Sequence, residues 1–105
     1  MYKVFSTETF DREISKLPKD YQLMIEKIAK DLSKNPFTGK GLTFEFLREK
    51  RIKEKRIYYL VYEEIVLVLL VATSGKKDQQ ETINHIKSNL KEFKKYAEKL
   101  SKQSF

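Results

Sequence analysis

The chain has no cysteine and a single histidine, His85. Without cysteine there is no disulfide framework and no thiolate metal ligand. With one imidazole, a histidine-built zinc site and a Ser-His-Asp triad are all but excluded on inventory. Long apolar runs are also missing. The longest, residues 65–72, has the length of a buried strand and falls far short of a bilayer span. The opening MYKVFSTETF has no basic stretch followed by an apolar one, so it does not read as a signal peptide, and a soluble cytoplasmic protein is expected. Turn-formers are scarce, with two prolines and three glycines. One of the prolines and two of the glycines fall in Asn35-Pro36-Phe37-Thr38-Gly39-Lys40-Gly41, which is therefore the clearest loop in the chain.

What is present is charge and a modest core. The 105 residues suit one domain, and the 40% apolar and 12% aromatic content supplies its interior. A chain of this size buries roughly two-thirds of its unfolded surface and needs no staples. Lysine and arginine number 22 against 15 acidic residues, for a net charge of +7. Such a field favours an anionic partner: nucleic acid, an acidic protein or an anionic membrane surface.

Periodicity orders the elements. Residues 1–5 alternate as a short strand, and Ser6 or Thr7 offers a helix cap. Phe10, Ile14 and Leu17 follow at helical spacing until Pro18, which ends one helix and can open the next. Tyr21, Ile25, Ile28, Ala29 and Leu32 line one face of that second helix. After the loop, 42–48 alternates loosely as a strand, 50–53 reads as a hairpin, 56–62 as a second strand and 63–64 as a tight turn. Residues 65–73 are apolar on both faces, as a central strand requires. Asp78 with Glu81 resembles a capping box for a long final helix over about 78–100. Its apolar residues Ile83, Ile86, Leu90, Phe93, Ala97 and Leu100 form a narrow seam suited to a sheet or a partner helix. Residues 101–105 are expected to fray. The expectation is a single α+β domain ordered β-α-α-β-β-β-α: an antiparallel three-strand meander plus an N-terminal strand, with helices packed on the sheet.

The run REKRIKEKR at 48–56 carries six cations in nine residues. Alone it would be a solvated hairpin partly neutralised by Glu49 and Glu54. In a meander, however, Arg56 at the start of one strand lies beside Lys76 and Lys77 past the end of the next. Arg48 and Lys50 would approach from the other side, giving five cations at one end of the sheet. Cations gathered this way disfavour one another's charge, so a phosphate site is the better reading. Period two puts Arg56, Tyr58, Leu60 and Tyr62 on one face and Ile57, Tyr59 and Val61 on the other. The tyrosines suit a strand face or core, with at most one stacking on a base. His85 suits a helix surface.

Leu17-Pro18, Asn35-Pro36…Gly39-Lys40-Gly41-Leu42, the stretch from Lys55 to Tyr62 and Val71…Gly75-Lys76-Lys77-Asp78, in this order and spacing, resemble the RelE/ParE superfamily of toxins from toxin–antitoxin systems. The resemblance implies a ribosome-dependent mRNA endoribonuclease that inhibits translation. It works without metal or cofactor, and the substrate 2′-hydroxyl attacks the adjacent phosphate. Arg56 matches the family's phosphate-holding strand arginine. Lys77, or Lys76, matches the leaving-group acid, and Lys50, or Arg48, the base. Arg51, Lys53, Lys55 and Tyr58 are the expected RNA contacts. Ile83 stands where the family has a base-stacking tyrosine, and Lys77 where it has arginine. The implied partners are mRNA on the ribosome and a short, acidic, partly disordered antitoxin, whose helix would compete with the final helix for apolar surface; no membrane partner is expected. ParE-type relatives share the fold and poison DNA gyrase without catalysis, which is the alternative reading; a nucleic-acid binder with a degenerate site is a third.

Overall fold

The structure, a computed structural model, describes residues 1–103. In chain order its elements are β1 (Lys3–Ser6), α1 (Glu8–Ser15), α2 (Lys19–Lys34), β2 (Lys40–Gly41), β3 (Leu47–Ile52), β4 (Lys55–Tyr62), β5 (Leu67–Ser74), α3 (Gln79–Ser88) and α4 (Leu90–Gln103). The strands form one sheet in the order β1-β5-β4-β3-β2. The meander β3-β4-β5 is antiparallel, and β1 joins β5 in parallel, Lys3 facing Leu67. The α+β reading holds, with β2 as an added edge strand.

Alternation along β4 sorts the core into two layers. Ile57, Tyr59 and Val61, with Val68 and Leu70 of β5, face Phe10 of α1 and Ile25 and Leu32 of α2. Tyr58 and Leu60, with Leu67, Leu69 and Val71, face Ile86 of α3 and Ala97 of α4. Helices therefore cover both faces, which is why β5 reads as a continuous apolar run. Burying each such aliphatic side chain contributes about 1.5–3 kcal/mol. Thr7 caps α1 by accepting a hydrogen bond from the Phe10 N–H at 3.1 Å, as its position suggests.

Five expectations need correction. The strand expected over 42–48 is a turn followed by β3: the Leu42 N–H bonds the Leu47 carbonyl, and the Leu47 N–H bonds that of Phe44. The charged stretch 50–53 is mostly strand, and the hairpin turns at Lys53 and Glu54, with Ile52 facing Lys55. Lys53 takes a positive φ of 52°. The single long helix over 78–100 is two, broken at Asn89, whose φ of −119° and ψ of 18° are not helical. Asparagine suits a break because its amide can replace a backbone partner, and here its Nδ2 donates to the His85 carbonyl at 2.8 Å. Asp78 makes no capping bond to α3; its Oδ1 accepts from the Gly75 N–H at 2.8 Å. Residues 101–103 close the last turn of α4 rather than fraying, and residues 104–105 of that expectation lie outside the described residues.

Candidate functional site

Strand register decides which cations meet. Arg56 faces Arg51 on β3 and Ser74 on β5. Facing residues share a side of the sheet, so Glu49, opposite Tyr58, belongs to the same side. Lys40 on β2 faces Glu49 and joins them. Together with Thr38, Gly39 and Lys50 these residues line a cavity of about 470 Å³ at the Arg56 end of the sheet. Lys76 and Lys77 follow Ser74 by two and three residues and are exposed beside that end. Among the described residues none of Lys40, Lys50, Arg51 or Arg56 forms a salt bridge. Two arginines directly opposed across a ladder, with no carboxylate pairing either, oppose stability.

Glu49 is the one acid lining this cavity. Its Oε2 is buried and has no hydrogen-bond partner among the described residues. Gly39 is needed where it is: a Cβ there would lie 2.5 Å from the Glu49 carbonyl and 2.5 Å from the Tyr59 hydroxyl. Glycine thus lets the loop backbone pack directly on β3 and β4, which fixes the cavity wall.

Several expected site residues have other duties. Arg48 alternates to the opposite face, paired with Tyr59. Its guanidinium donates to the carbonyls of Glu45 at 2.9 Å, Phe37 at 3.1 Å and Gly39 at 2.7 Å, and lies 5.2 Å from the Phe37 ring centre. It is a clamp on the 37–45 loop and cannot serve as a base. Lys53 is drawn to α2 by a salt bridge to Asp20 and sits 5.2 Å from the Tyr21 ring centre. That pair lowers the Asp20 pKa and raises that of Lys53, each chiefly through their hydrogen bond. Lys50 and Lys55 also leave the strands on the reverse face, Lys50 reaching the cavity from the sheet edge. Tyr58 is fully buried and shares a 2.8 Å hydrogen bond with Ser74, so no base can stack on it. It lies beneath the site, its hydroxyl sensing the charges of Glu49, Arg56 and Asp78. Lys40 and Glu49 escaped the sequence reading. Lys40 arrives only through the β2 pairing, and Glu49 is placed by strand alternation opposite Tyr58, a signal present in the sequence.

Burial is the largest influence raising the pKa of Tyr58, Tyr59 and Tyr62. A phenol whose pKa is raised by folding stabilises fully below its unfolded value and loses that contribution as pH climbs through the folded value. Stability should therefore hold up to about pH 9.5 and fall above about pH 10. Urea midpoints across that range, read beside tyrosinate absorbance, check this; a midpoint flat to the end of the alkaline range would refute it.

No family model matches the chain, and no curated protein does. Solved structures do. The chain is similar to a toxin–antitoxin complex, RelBE2 of Mycobacterium tuberculosis, at 28% identity over 73% of this chain and 93% of that one, with a TM-score of 0.63. It is similar to a free E. coli RelE mutant at 16% identity over 83% and 96%, with a TM-score of 0.71. An archaeal RelE–RelB complex from Pyrococcus horikoshii matches at 15% identity over 72% and 96%, with a TM-score of 0.63. The architecture is that of the RelE toxins. In fold the chain is similar to the RelE-like superfamily.

Among the described residues no helix is long and apolar enough to cross a membrane, and no group of three or more His, Asp or Glu converges as a metal site. A second cavity of about 470 Å³ carries Glu13, Asp78, Glu81 and Glu92 with His85, the wrong sign for a phosphate.

Proposed function

We propose that the chain is the toxin of a toxin–antitoxin pair and cuts mRNA on the ribosome, in the cytoplasm, by transesterification. One observation carries the reading: the cavity at the Arg56 end gathers cations that no acidic side chain pairs, around one carboxylate oxygen with no partner. A folded protein keeps unpaired like charges together at a cost in stability, and a phosphate is the ligand that offsets it. The likeness to the mycobacterial complex supports an antitoxin partner, and the +7 charge suits an acidic one.

The chemistry follows from side-chain types. Arg56 grips the non-bridging oxygens of the scissile phosphate through its planar fork, with Arg51, Lys40 and Lys50 steadying the flanking backbone. Arginine does not give up its proton, whereas a carboxylate accepts one readily. Glu49 therefore replaces Lys50 and Arg48 as base. It takes the proton of the 2′-hydroxyl as the O2′–P bond forms. The P–O5′ bond breaks, and Lys77 or Lys76 protonates the departing oxygen. The products are a 2′,3′-cyclic phosphate and a 5′-hydroxyl.

Primer-extension mapping on translating ribosomes tests the reading. Discrete cuts within A-site codons are expected, and a folded protein that makes none on ribosomes from a matched source would sink it. Glu49→Gln should slow cutting by about 100-fold without moving the sites, and Glu49→Asp should restore part of the rate. If cutting persists and Glu49→Gln matches the wild type, the endonuclease reading survives and the base assignment fails.

A further inference from the structure

The opposite end of the sheet has the reverse character. There the end of β4, the turn after it, the 42–46 loop and the start of α4 enclose a cavity of about 300 Å³. Val61, Tyr62, Phe46 and Leu90 make it apolar, and Glu45, Glu63 and Glu64 stand at its mouth with one cation, Lys94. In a chain of net charge +7, this is a local reversal of sign. The field reaches the interior, since the carboxylates of Glu98 and Glu64 add to burial in holding the Tyr62 hydroxyl protonated.

Beside the mouth, Phe44 and Phe46 stack with ring centres 5.0 Å apart and planes 6° apart, yet they are 38% and 39% exposed. Two exposed phenylalanines in one loop leave apolar area in water, at about 25 cal/mol per Å². The loop is not slack. Arg48 pins the carbonyls of Glu45 and Phe37, both from residues lining the cavity, and backbone bonds tie Leu42 and Phe44 to Leu47. An arginine with its Nε buried and unpartnered is thus spent on holding a solvent-facing aromatic platform in place. That is the preorganisation a docking site needs.

We propose that this end is a docking surface for a short basic protein segment with a bulky apolar anchor. The anchor enters the cavity against Phe46 and Leu90, and flanking lysines or arginines meet Glu45, Glu63 and Glu64. The acidic mouth repels RNA and an acidic antitoxin alike, so this occupant differs from those of the Arg56 end. Arg56 and Tyr62 are six residues apart on β4, about 20 Å at strand rise. Both ends can be filled at once.

The test is a titration of the whole isotope-labelled protein with a synthetic peptide holding a Leu-Phe anchor between two lysine pairs, followed by amide shifts. Saturating shifts of Phe46, Tyr62 and Leu90 are expected below about 1 mM peptide. Two control peptides, one with glutamates for the lysines and one with alanines for the anchor, should give none. The double variant Glu63→Lys and Glu64→Lys, checked for an unchanged spectrum, should bind at least about tenfold more weakly. Shifts confined to the Arg56 end, equal binding of the acidic peptide, or no saturation would each overturn the proposal. So would a dimer of the free protein abolished by Phe46→Ser, since a second copy would then be the occupant.

Discussion

Replacing Arg56 with alanine is expected to lower single-turnover cleavage of ribosome-bound mRNA by about 100- to 1,000-fold, the usual effect of deleting one preorganised transition-state contact. Folding should survive. Arg56 makes no side-chain hydrogen bond or salt bridge among the described residues, and its cross-strand neighbours are another cation, Arg51, and the neutral Ser74. Removing it relieves repulsion and leaves no buried group without a partner. The urea midpoint should stay level or rise slightly while activity collapses. Arg56→Lys should fall between, since it keeps the charge and loses the two-pronged grip. A variant that lost activity and stability together would instead make Arg56 structural, and one that lost neither would empty the site of its central residue.

Tyr59→Ala is expected to show the opposite pattern, a large loss of stability that drags activity with it. Tyr59 is fully buried in the layer against α1 and α2. Its hydroxyl donates to the Pro36 carbonyl at 2.8 Å and accepts from the Gly39 N–H at 3.1 Å. Alanine leaves a cavity and two backbone groups without their partner, for about 4 kcal/mol. In a domain stable by about 5–15 kcal/mol that is a large share. Tyr59→Phe isolates the polar part: about 1–3 kcal/mol from the orphaned groups. Because Gly39 and Lys40 wall the Arg56 cavity, Tyr59→Phe should also cut activity more than Tyr58→Phe, whose hydroxyl bonds only Ser74. Equal urea midpoints for wild type and Tyr59→Phe would refute this account.

How far the sequence could be read varies with range. Several local signals are legible: a cap at Ser6 or Thr7, which the structure gives to Thr7, β5 as a strand buried on both faces, and the two-sided sorting of Arg56 through Tyr62 along β4. The loop 42–46 was misread because Phe44 and Phe46 alternate with polar residues as a strand would, yet both face solvent. The break at Asn89 was hidden because the apolar spacing of three and four runs through it, and both helices keep the same face on the sheet. At the site, proximity to a strand end correctly brings Lys50 to the Arg56 cavity, but Arg48 leaves β3 on the reverse face and is held by loop carbonyls. Period-two alternation along β3 sets Arg48 and Lys50 on the face opposite Glu49 and Arg51. The sheet-edge contribution of Lys40 is long-range and has no local signature.

The parallel pairing of β1 with β5 has a consequence in the order of synthesis. Lys3 waits for Leu67, 64 positions later in the chain (67 − 3). At about 5–20 residues per second that is roughly 3–13 s of translation. Arg56 cannot settle between its neighbours until Ser74 has also emerged. A ribosome making this protein therefore carries the basic run 48–56 outside its tunnel well before the cavity that gives it a purpose. The nascent chain is a loose polycation first and a shaped site only once β5 has emerged, so products that stop short of β5 should bind RNA without forming the site.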